Sequence, residues 1–70
     1  MDWDDRFREE YFDLSTRAEK LRLILIAYKA ETLTFKPKSS LNLLTTQYNV
    51  MKAYLKVLEM RAEAEGVELR

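Results

Sequence analysis

The chain contains no cysteine and no histidine, and its 70 residues include one glycine and one proline. Without cysteine it has no disulfide bonds to stabilise it, which favours a reducing compartment. Histidine is the commonest metal ligand and general base, so neither a metal nor a cofactor is expected. A core of this size is marginal alone and usually needs disulfides, a metal or a partner. Association with further copies is therefore the expected means of stabilisation.

The chain also lacks net charge, because 12 basic residues balance 12 acidic ones. No overall field attracts duplex nucleic acid, which is excluded as an expected partner. The charges are uneven, with net −3 over residues 1–20, +4 over 21–52 and −1 over 53–70. The longest apolar run, residues 23–28, is far shorter than the ~20 residues that span a bilayer. A soluble, cytoplasmic protein with no membrane contact is therefore predicted.

Apolar residues recur at alternating spacings of three and four in two stretches of the chain. The first stripe is Phe7, Tyr11, Leu14, Ala18, Leu21, Leu25 and Tyr28, and the second is Leu41, Leu44, Tyr48, Met51, Leu55, Leu58 and Ala62. This period of 3.5 is typical of packed helices, and no stretch shows the period of two expected of a strand. We predict an all-α fold, a single 1–70 domain in which two long antiparallel helices form a hairpin. The helices cover about residues 3–31 and 40–65, the hinge covers 32–39, and the first helix is kinked near its start.

The residues at the predicted helix ends are those that start and stop helices. Asp2 and one of Ser39 and Ser40 are predicted N-caps, whose side chains accept hydrogen bonds from free backbone amides. Pro37 lies in the hinge, and Gly66 follows the second helix. Acid–base pairs four residues apart are expected to link turns of the first helix: Asp2–Arg6, Asp4–Arg8 and Asp13–Arg17.

Several apolar residues lie outside both stripes and have no place inside a two-helix hairpin. They are Phe12, Leu23, Ile24, Ile26, Leu43, Val50 and Val57. Exposed together, they would form a larger apolar patch than monomers usually carry. We therefore expect a symmetric homo-oligomer, with any ligand pocket between chains.

Motifs that carry catalysis are missing from the sequence. It has no serine in a nucleophile turn and no glycine-rich phosphate loop, so an enzyme is not expected. The weak enzymatic alternative is a small helical chorismate mutase, in which Arg17, Lys20 and Lys29 would bind a dianion. The chain is short for that fold and lacks its third helix.

A small anionic ligand needs only an aromatic plane and one or two cations, and the sequence offers both. Trp3 supplies the plane, the first helix supplies three cations, and the hinge supplies two. The candidate ligand-binding residues are Trp3, Arg6, Arg17, Lys20, Lys36 and Lys38. Four of them also have a structural interpretation: Trp3 as an interface anchor, the two arginines as ion-pair partners, and Lys20 as a residue whose aliphatic chain covers the core.

The pattern resembles a family of short phage-encoded helical proteins, the crAssphage-related proteins that include the anti-CBASS sponges. The resemblance rests on "WDDRF" at residues 3–7, then Glu10, Leu14, Arg17 and the pair Lys20–Leu21. In the second helix it rests on "LLTTQYNVMKAYLKVLEMR", where Leu43, Leu44, Gln47, Met51, Tyr54, Leu58 and Arg61 match family positions. The hinge is shorter than usual in the family, and Trp3 stands where a tyrosine is expected.

The resemblance implies a sponge that binds intact cyclic di- or trinucleotides in the host cytoplasm and so blocks CBASS-type signalling. Such sponges assemble as symmetric homo-oligomers, here a hexamer by resemblance. By position, Trp3 would stack on a nucleobase, Lys20 would meet a phosphate, and Arg6 is a weaker candidate. The alternative is a helical oligomeric module of a phage that binds another protein and no nucleotide.

Overall fold

The computed structural model describes residues 2–69, so the first and last residues of the predicted domain lie outside the described part. It contains two α-helices, α1 over Trp3–Lys29 and α2 over Leu41–Glu65, and residues 2–69 include no strand. The helices pack as an antiparallel hairpin, since Tyr11 near the start of α1 donates a hydrogen bond to Glu59 near the end of α2 (2.8 Å). The predicted all-α hairpin is confirmed.

α1 begins after Asp2, whose side chain accepts a hydrogen bond from the Asp5 amide (2.8 Å) as predicted for an N-cap. The helix ends two residues before the predicted limit of about 31. Glu31 turns into the left-handed region (φ 60°), and the Thr32 amide closes onto the Ala27 carbonyl (2.9 Å). The structure describes α1 as one α-helix over its whole length, and the kink near its start stays a prediction.

α2 is capped at both ends by residues that the sequence identifies. The Ser40 hydroxyl accepts from the Leu43 amide (3.1 Å), and Gly66 ends the helix with φ 71°. The Val67 amide then donates to the Ala62 carbonyl (2.8 Å), which is the hydrogen bond of a Schellman turn. This turn sends the last residues back onto the hairpin, and Val67 becomes buried.

The core is best developed at the end of the hairpin where α1 begins and α2 ends. Its buried members are Phe7, Leu14, Leu58, Ala62 and Val67, and Tyr11, Met51, Leu55 and Leu69 pack against them. Leu58 is fully enclosed, with 0% of its surface exposed. The α1 stripe continues toward the hinge as buried Ala18, Leu21 and Leu25. All of these residues except Val67 and Leu69 belong to the two predicted stripes.

The hairpin is elongated, 43 × 20 × 17 Å, and its outer surfaces carry large apolar side chains. Leu23 and Ile26 on α1, and Leu43, Val50 and Val57 on α2, are each about half exposed or more. These residues lie outside the stripes, as expected, and the homo-oligomer inferred from them stays a prediction. Neither helix described in residues 2–69 has the length and apolar character to cross a membrane.

Replacing Gly66 with alanine is expected to lower the free energy of unfolding by about 1 kcal/mol, because φ 71° is unfavourable for a residue with a Cβ. A Cβ at this position would meet no atom within 4 Å, so the cost arises in the backbone alone. Urea unfolding followed by circular dichroism measures the loss. Gly66→Asn is the matched control and should lose less, since asparagine tolerates this conformation better. Equal losses in the two variants would contradict the backbone explanation.

Candidate ligand-binding site

Five residues line a groove of about 290 Å³ at the end of the hairpin opposite the hinge, which we call the terminal groove. They are Trp3, Arg6, Phe7, Glu10 and Arg61. Trp3 is 42% exposed, and its ring centroid lies 5.2 Å from that of buried Phe7. The indole therefore rests on the core while part of it stays open to solvent.

Two guanidinium groups belong to the same groove. Arg61 of α2 lies 5.8 Å from the Trp3 ring centroid and 5.5 Å from that of Phe7, distances at which a cation is attracted to an aromatic face. It also pairs with Glu65 one turn later (3.0 Å). Arg6 approaches from α1, three residues after Trp3. An aromatic surface beside two guanidinium groups can stack on a nucleobase and bind phosphate oxygens.

One acidic residue lines the groove, and others lie close to Trp3 in the sequence. Glu10 lines it and accepts a hydrogen bond from the Tyr54 hydroxyl (2.7 Å). Asp5 pairs with Arg8 (3.2 Å), and Asp2 caps α1. These carboxylates repel an anionic ligand, so the groove is electrostatically mixed within one chain.

Two tyrosines join the helices by donating hydrogen bonds to carboxylates across the hairpin. The pKa of Tyr54 is raised above its ordinary value, chiefly because its hydroxyl donates to Glu10, with smaller contributions from burial and from the charge of Glu10. The pKa of Tyr11 is raised for the same reasons, with Glu59 as the acceptor and burial as the second cause. Both hydrogen bonds favour the neutral phenol.

Alkaline pH is therefore expected to weaken the hairpin. The pKa of each phenol is raised in the folded chain above the ordinary value of 10.0, so the stabilisation is complete below pH 10. It is lost as the pH rises through the folded-state pKa. Tyrosinate absorbance during a pH titration measures this, and Tyr54→Phe and Tyr11→Phe should each remove one late-ionising group. If either single variant still shows two late-ionising tyrosines, the assignment of the raised pKa values to Tyr11 and Tyr54 is wrong.

The other predicted cations lie elsewhere on the chain. Arg17 and Lys20, one turn apart on α1, line an open surface pocket of about 480 Å³ with Asp13 and Thr16. Lys36 lines a pocket of about 550 Å³ in the hinge, whose other residues are Tyr28, Glu31, Leu33, Thr34, Phe35 and Pro37. Lys38 is exposed in the same hinge.

Within one chain, the six predicted residues therefore lie in three separate places. Trp3 and Arg6 lie in the terminal groove, Arg17 and Lys20 lie midway along α1, and Lys36 and Lys38 lie in the hinge. Lys20 follows Trp3 by seventeen positions along the helix, which corresponds to about 26 Å. A small ligand that contacts both of these residues must take them from different chains.

The three ion pairs predicted along α1 are wrong. Within residues 2–69 the ion pairs are Arg8–Asp5, Arg22–Glu19 and Arg61–Glu65, and none of the three predicted pairs is among them. The structure gives the reason for the Asp4–Arg8 pair: Arg8 Nε donates to the Glu68 carbonyl of the returning tail (2.6 Å), and its Nη1 donates to Asp5 instead of Asp4. The Arg22 guanidinium holds the pKa of Glu19 below its usual value by hydrogen bonding.

Three groove residues were not among the sequence candidates, namely Phe7, Glu10 and Arg61. Phe7 belongs to the predicted core stripe, so its sequence signal pointed to packing. Arg61 is the last member of a row, Gln47, Tyr54 and Arg61, spaced seven apart on one side of α2. That row was the sequence signal for Arg61, but the contact of Arg61 with Trp3 depends on how the helices pack.

A protein-family model described as Sequestin matches residues 1–64. Comparison with curated proteins and with solved structures yields no significant match. The family match covers both helices except for the last residue of α2. It confirms the resemblance to a sponge-type family.

Proposed function

The chain belongs to the Sequestin family, and from this premise we propose that it is a sponge for cyclic di- or trinucleotide immune signals. In the host cytoplasm it binds these molecules and withholds them from their receptors, which blocks CBASS-type antiphage signalling. The observation that carries the proposal is family membership together with the terminal groove, where a 42% exposed indole lies beside Arg6 and Arg61.

The groove chemistry suits this class of ligand. Stacking on an aromatic side chain is available to every nucleobase and contributes about 1–3 kcal/mol per base. A guanidinium group donates two parallel hydrogen bonds to phosphate oxygens, which favours Arg6 and Arg61 as phosphate ligands. Lys20 is the further phosphate ligand in this proposal, contributed by a neighbouring chain because of its distance from Trp3.

The proposed sponge does not alter its ligand. The five groove residues include no hydroxyl or thiol nucleophile, and their one carboxylate, Glu10, accepts the Tyr54 hydrogen bond. Cleaving a phosphodiester requires an activated nucleophile or a metal-bound water, and these five residues offer no paired nucleophile and base. Sequestration without turnover is therefore part of the proposal.

The proposed protein acts as a homo-oligomer, a hexamer by resemblance. Apolar residues outside the hairpin core, including Leu23, Leu43 and Val50, are more than half exposed in one chain. Pairing them between copies would remove them from water. It would also allow a pocket that takes Trp3 from one chain and Lys20 from another.

A ligand panel tests the sponge directly. Purified protein is titrated calorimetrically with cyclic di- and trinucleotides, and with linear dinucleotides as matched controls. The bound molecule is then released by denaturation and identified by mass spectrometry. We expect saturable binding of at least one cyclic molecule and its recovery unaltered. Recovery of a linear product would overturn sequestration without turnover, and no binding at micromolar protein would overturn the nucleotide ligand.

The second candidate is a helical module that binds another protein, which the exposed row Leu43, Val50 and Val57 favours. In that case the purified chain binds no member of the panel and forms a stoichiometric complex with a phage or host protein. Val50→Lys should then abolish that complex. Loss of nucleotide binding in Trp3→Ala, with no protein partner, would support the sponge instead.

A further inference from the structure

The outer face of α2 carries a second row of largely apolar residues, which we call the outer seam. It consists of Leu43, Thr46, Val50, Ala53, Val57 and Met60, at spacings of three and four. All six are exposed in the single chain, and the four largest expose between 49% and 62% of their surface. The seam therefore has the spacing of a helix-packing face but no helix of its own chain against it.

The outer seam lies opposite the hairpin core. Ala53, Val57 and Met60 each follow by two positions a residue that packs in the hairpin core, namely Met51, Leu55 and Leu58. Two residues correspond to a rotation of about 200° around an α-helix. Residues that recur at period 3.5 pack best against a helix whose own residues recur at the same period, and α2 of a second copy is such a helix. We propose that the outer seams of two copies pack against each other in antiparallel orientation.

The flanking charges select the antiparallel direction. In a parallel pair, Lys56 would lie beside Arg61 of the partner subunit, and the symmetry would repeat this repulsion. In the antiparallel pair, Lys56 lies beside Asn49 of the partner subunit, and Glu63 lies beside Asn42 of the partner subunit. No like charges then meet along the seam.

The side-chain sizes select the register. The alignment that uses the whole seam places Leu43 opposite Met60 of the partner subunit, and places Val50 opposite Ala53 of the partner subunit. Large residues then face small ones at the centre, which lets the helices approach closely. The seam is about 26 Å long, corresponding to the seventeen helical steps from residue 43 to residue 60.

This pairing also brings the partner's hinge to the terminal groove. Arg61, which lines the groove, lies level with Asn42 of the partner subunit. Lys38 of the partner subunit lies in the hinge, four residues before that asparagine and outside α2. Its ammonium group then compensates the carboxylates around Trp3. This step rests on the proposed function, whereas the pairing of the seams does not.

Disulfide trapping tests the pairing cleanly because the chain has no cysteine. Leu43→Cys and Met60→Cys chains are co-expressed, purified with reductant and then oxidised. We expect a linked heterodimer on a non-reducing gel, whereas each variant alone stays unlinked. In the proposed register, like positions are about 26 Å apart, far beyond the ~7 Å between Cα atoms that a disulfide spans.

Two outcomes of the trapping would overturn the pairing. Leu43→Cys linking to itself would indicate parallel seams, and an unlinked mixture would show that the seams do not meet in this register. Lys52→Cys mixed with Met60→Cys is the matched control, since residue 52 lies outside the seam, and it should stay unlinked. Val50→Lys should separate the α2 pair, which lowers the mass measured by sedimentation. Leu23→Lys changes α1 instead, so the two cysteine variants that carry it should still link in the trapping assay.

The hinge contribution has its own measurement. Lys38→Glu should weaken binding of the tightest cyclic nucleotide in the panel by about tenfold or more, with unchanged mass in sedimentation. Unchanged affinity would overturn the role of Lys38 while the trapped disulfide still supports the pairing. If no cyclic nucleotide binds the wild-type chain, the proposed function fails, and the trapping experiment still decides the seam.

Discussion

Replacing Leu58 with alanine is expected to lower the free energy of unfolding by about 2–5 kcal/mol. Leu58 has 0% of its surface exposed and lies at the centre of the core between α1 and α2. Removing its branched side chain loses the transfer free energy of the buried carbons and leaves a cavity that the helices fill only partly. A domain of this size has a total stability of roughly 4–10 kcal/mol, so the variant loses much of it. Urea unfolding at fixed protein concentration measures the loss.

Leu23→Ala is the matched control, because it is the same substitution on a side chain that is 53% exposed in the chain. Its loss should be well below that of Leu58→Ala at concentrations where the chains are dissociated. Similar losses at the two positions would mean that the helices do not pack around Leu58. Holding the concentration constant matters, since self-association would add its own stabilisation.

Replacing Trp3 with alanine is expected to weaken cyclic nucleotide binding by roughly 5- to 150-fold, which corresponds to the loss of ~1–3 kcal/mol of base stacking. The indole is 42% exposed and lies within reach of two guanidinium groups, so it can contact a base without leaving the core. Calorimetric titration with the tightest ligand of the panel measures the loss. The mass in sedimentation should be unchanged.

Two further variants separate stacking from packing. Trp3→Tyr keeps an aromatic plane at this position and should retain most of the affinity. Phe12→Ala removes another exposed aromatic side chain of α1, which does not line the terminal groove. Provided that its mass in sedimentation matches the wild type, it should leave affinity unchanged. If Trp3→Ala instead dissociates the oligomer or lowers its stability with affinity intact, Trp3 is a packing anchor.

The fold was predictable because its determinants are local. Stripes at period 3.5 indicate two helices whichever way they pack, and Asp2, Ser40 and Gly66 act as caps through backbone groups within a few residues. The predicted position of the end of α1 was less accurate, because Glu31 adopts the left-handed conformation that glycine usually provides at a helix end. No residue type signalled that stop.

The candidate site was only partly predictable. Trp3 and Arg6 share the terminal groove because they lie one turn apart on one helix, and that spacing is present in the sequence. Arg61 joins them across the hairpin, and the choice of Asp5 as the partner of Arg8 depends on the returning tail. The contacts of Arg61 with Trp3 and of Arg8 with Glu68 each link residues more than 50 positions apart, so no local pattern reports them.

The sequence by itself determined that this chain forms two capped helices with one apolar stripe each, since hydrophobic spacing and capping act over single turns. Only the tertiary structure decided that Val67 closes the core, that Arg61 meets Trp3, and that Lys20 stays remote from both. These arrangements depend on the relative placement of α1, α2 and the tail. That placement follows from packing of the whole core rather than from any short stretch of residues.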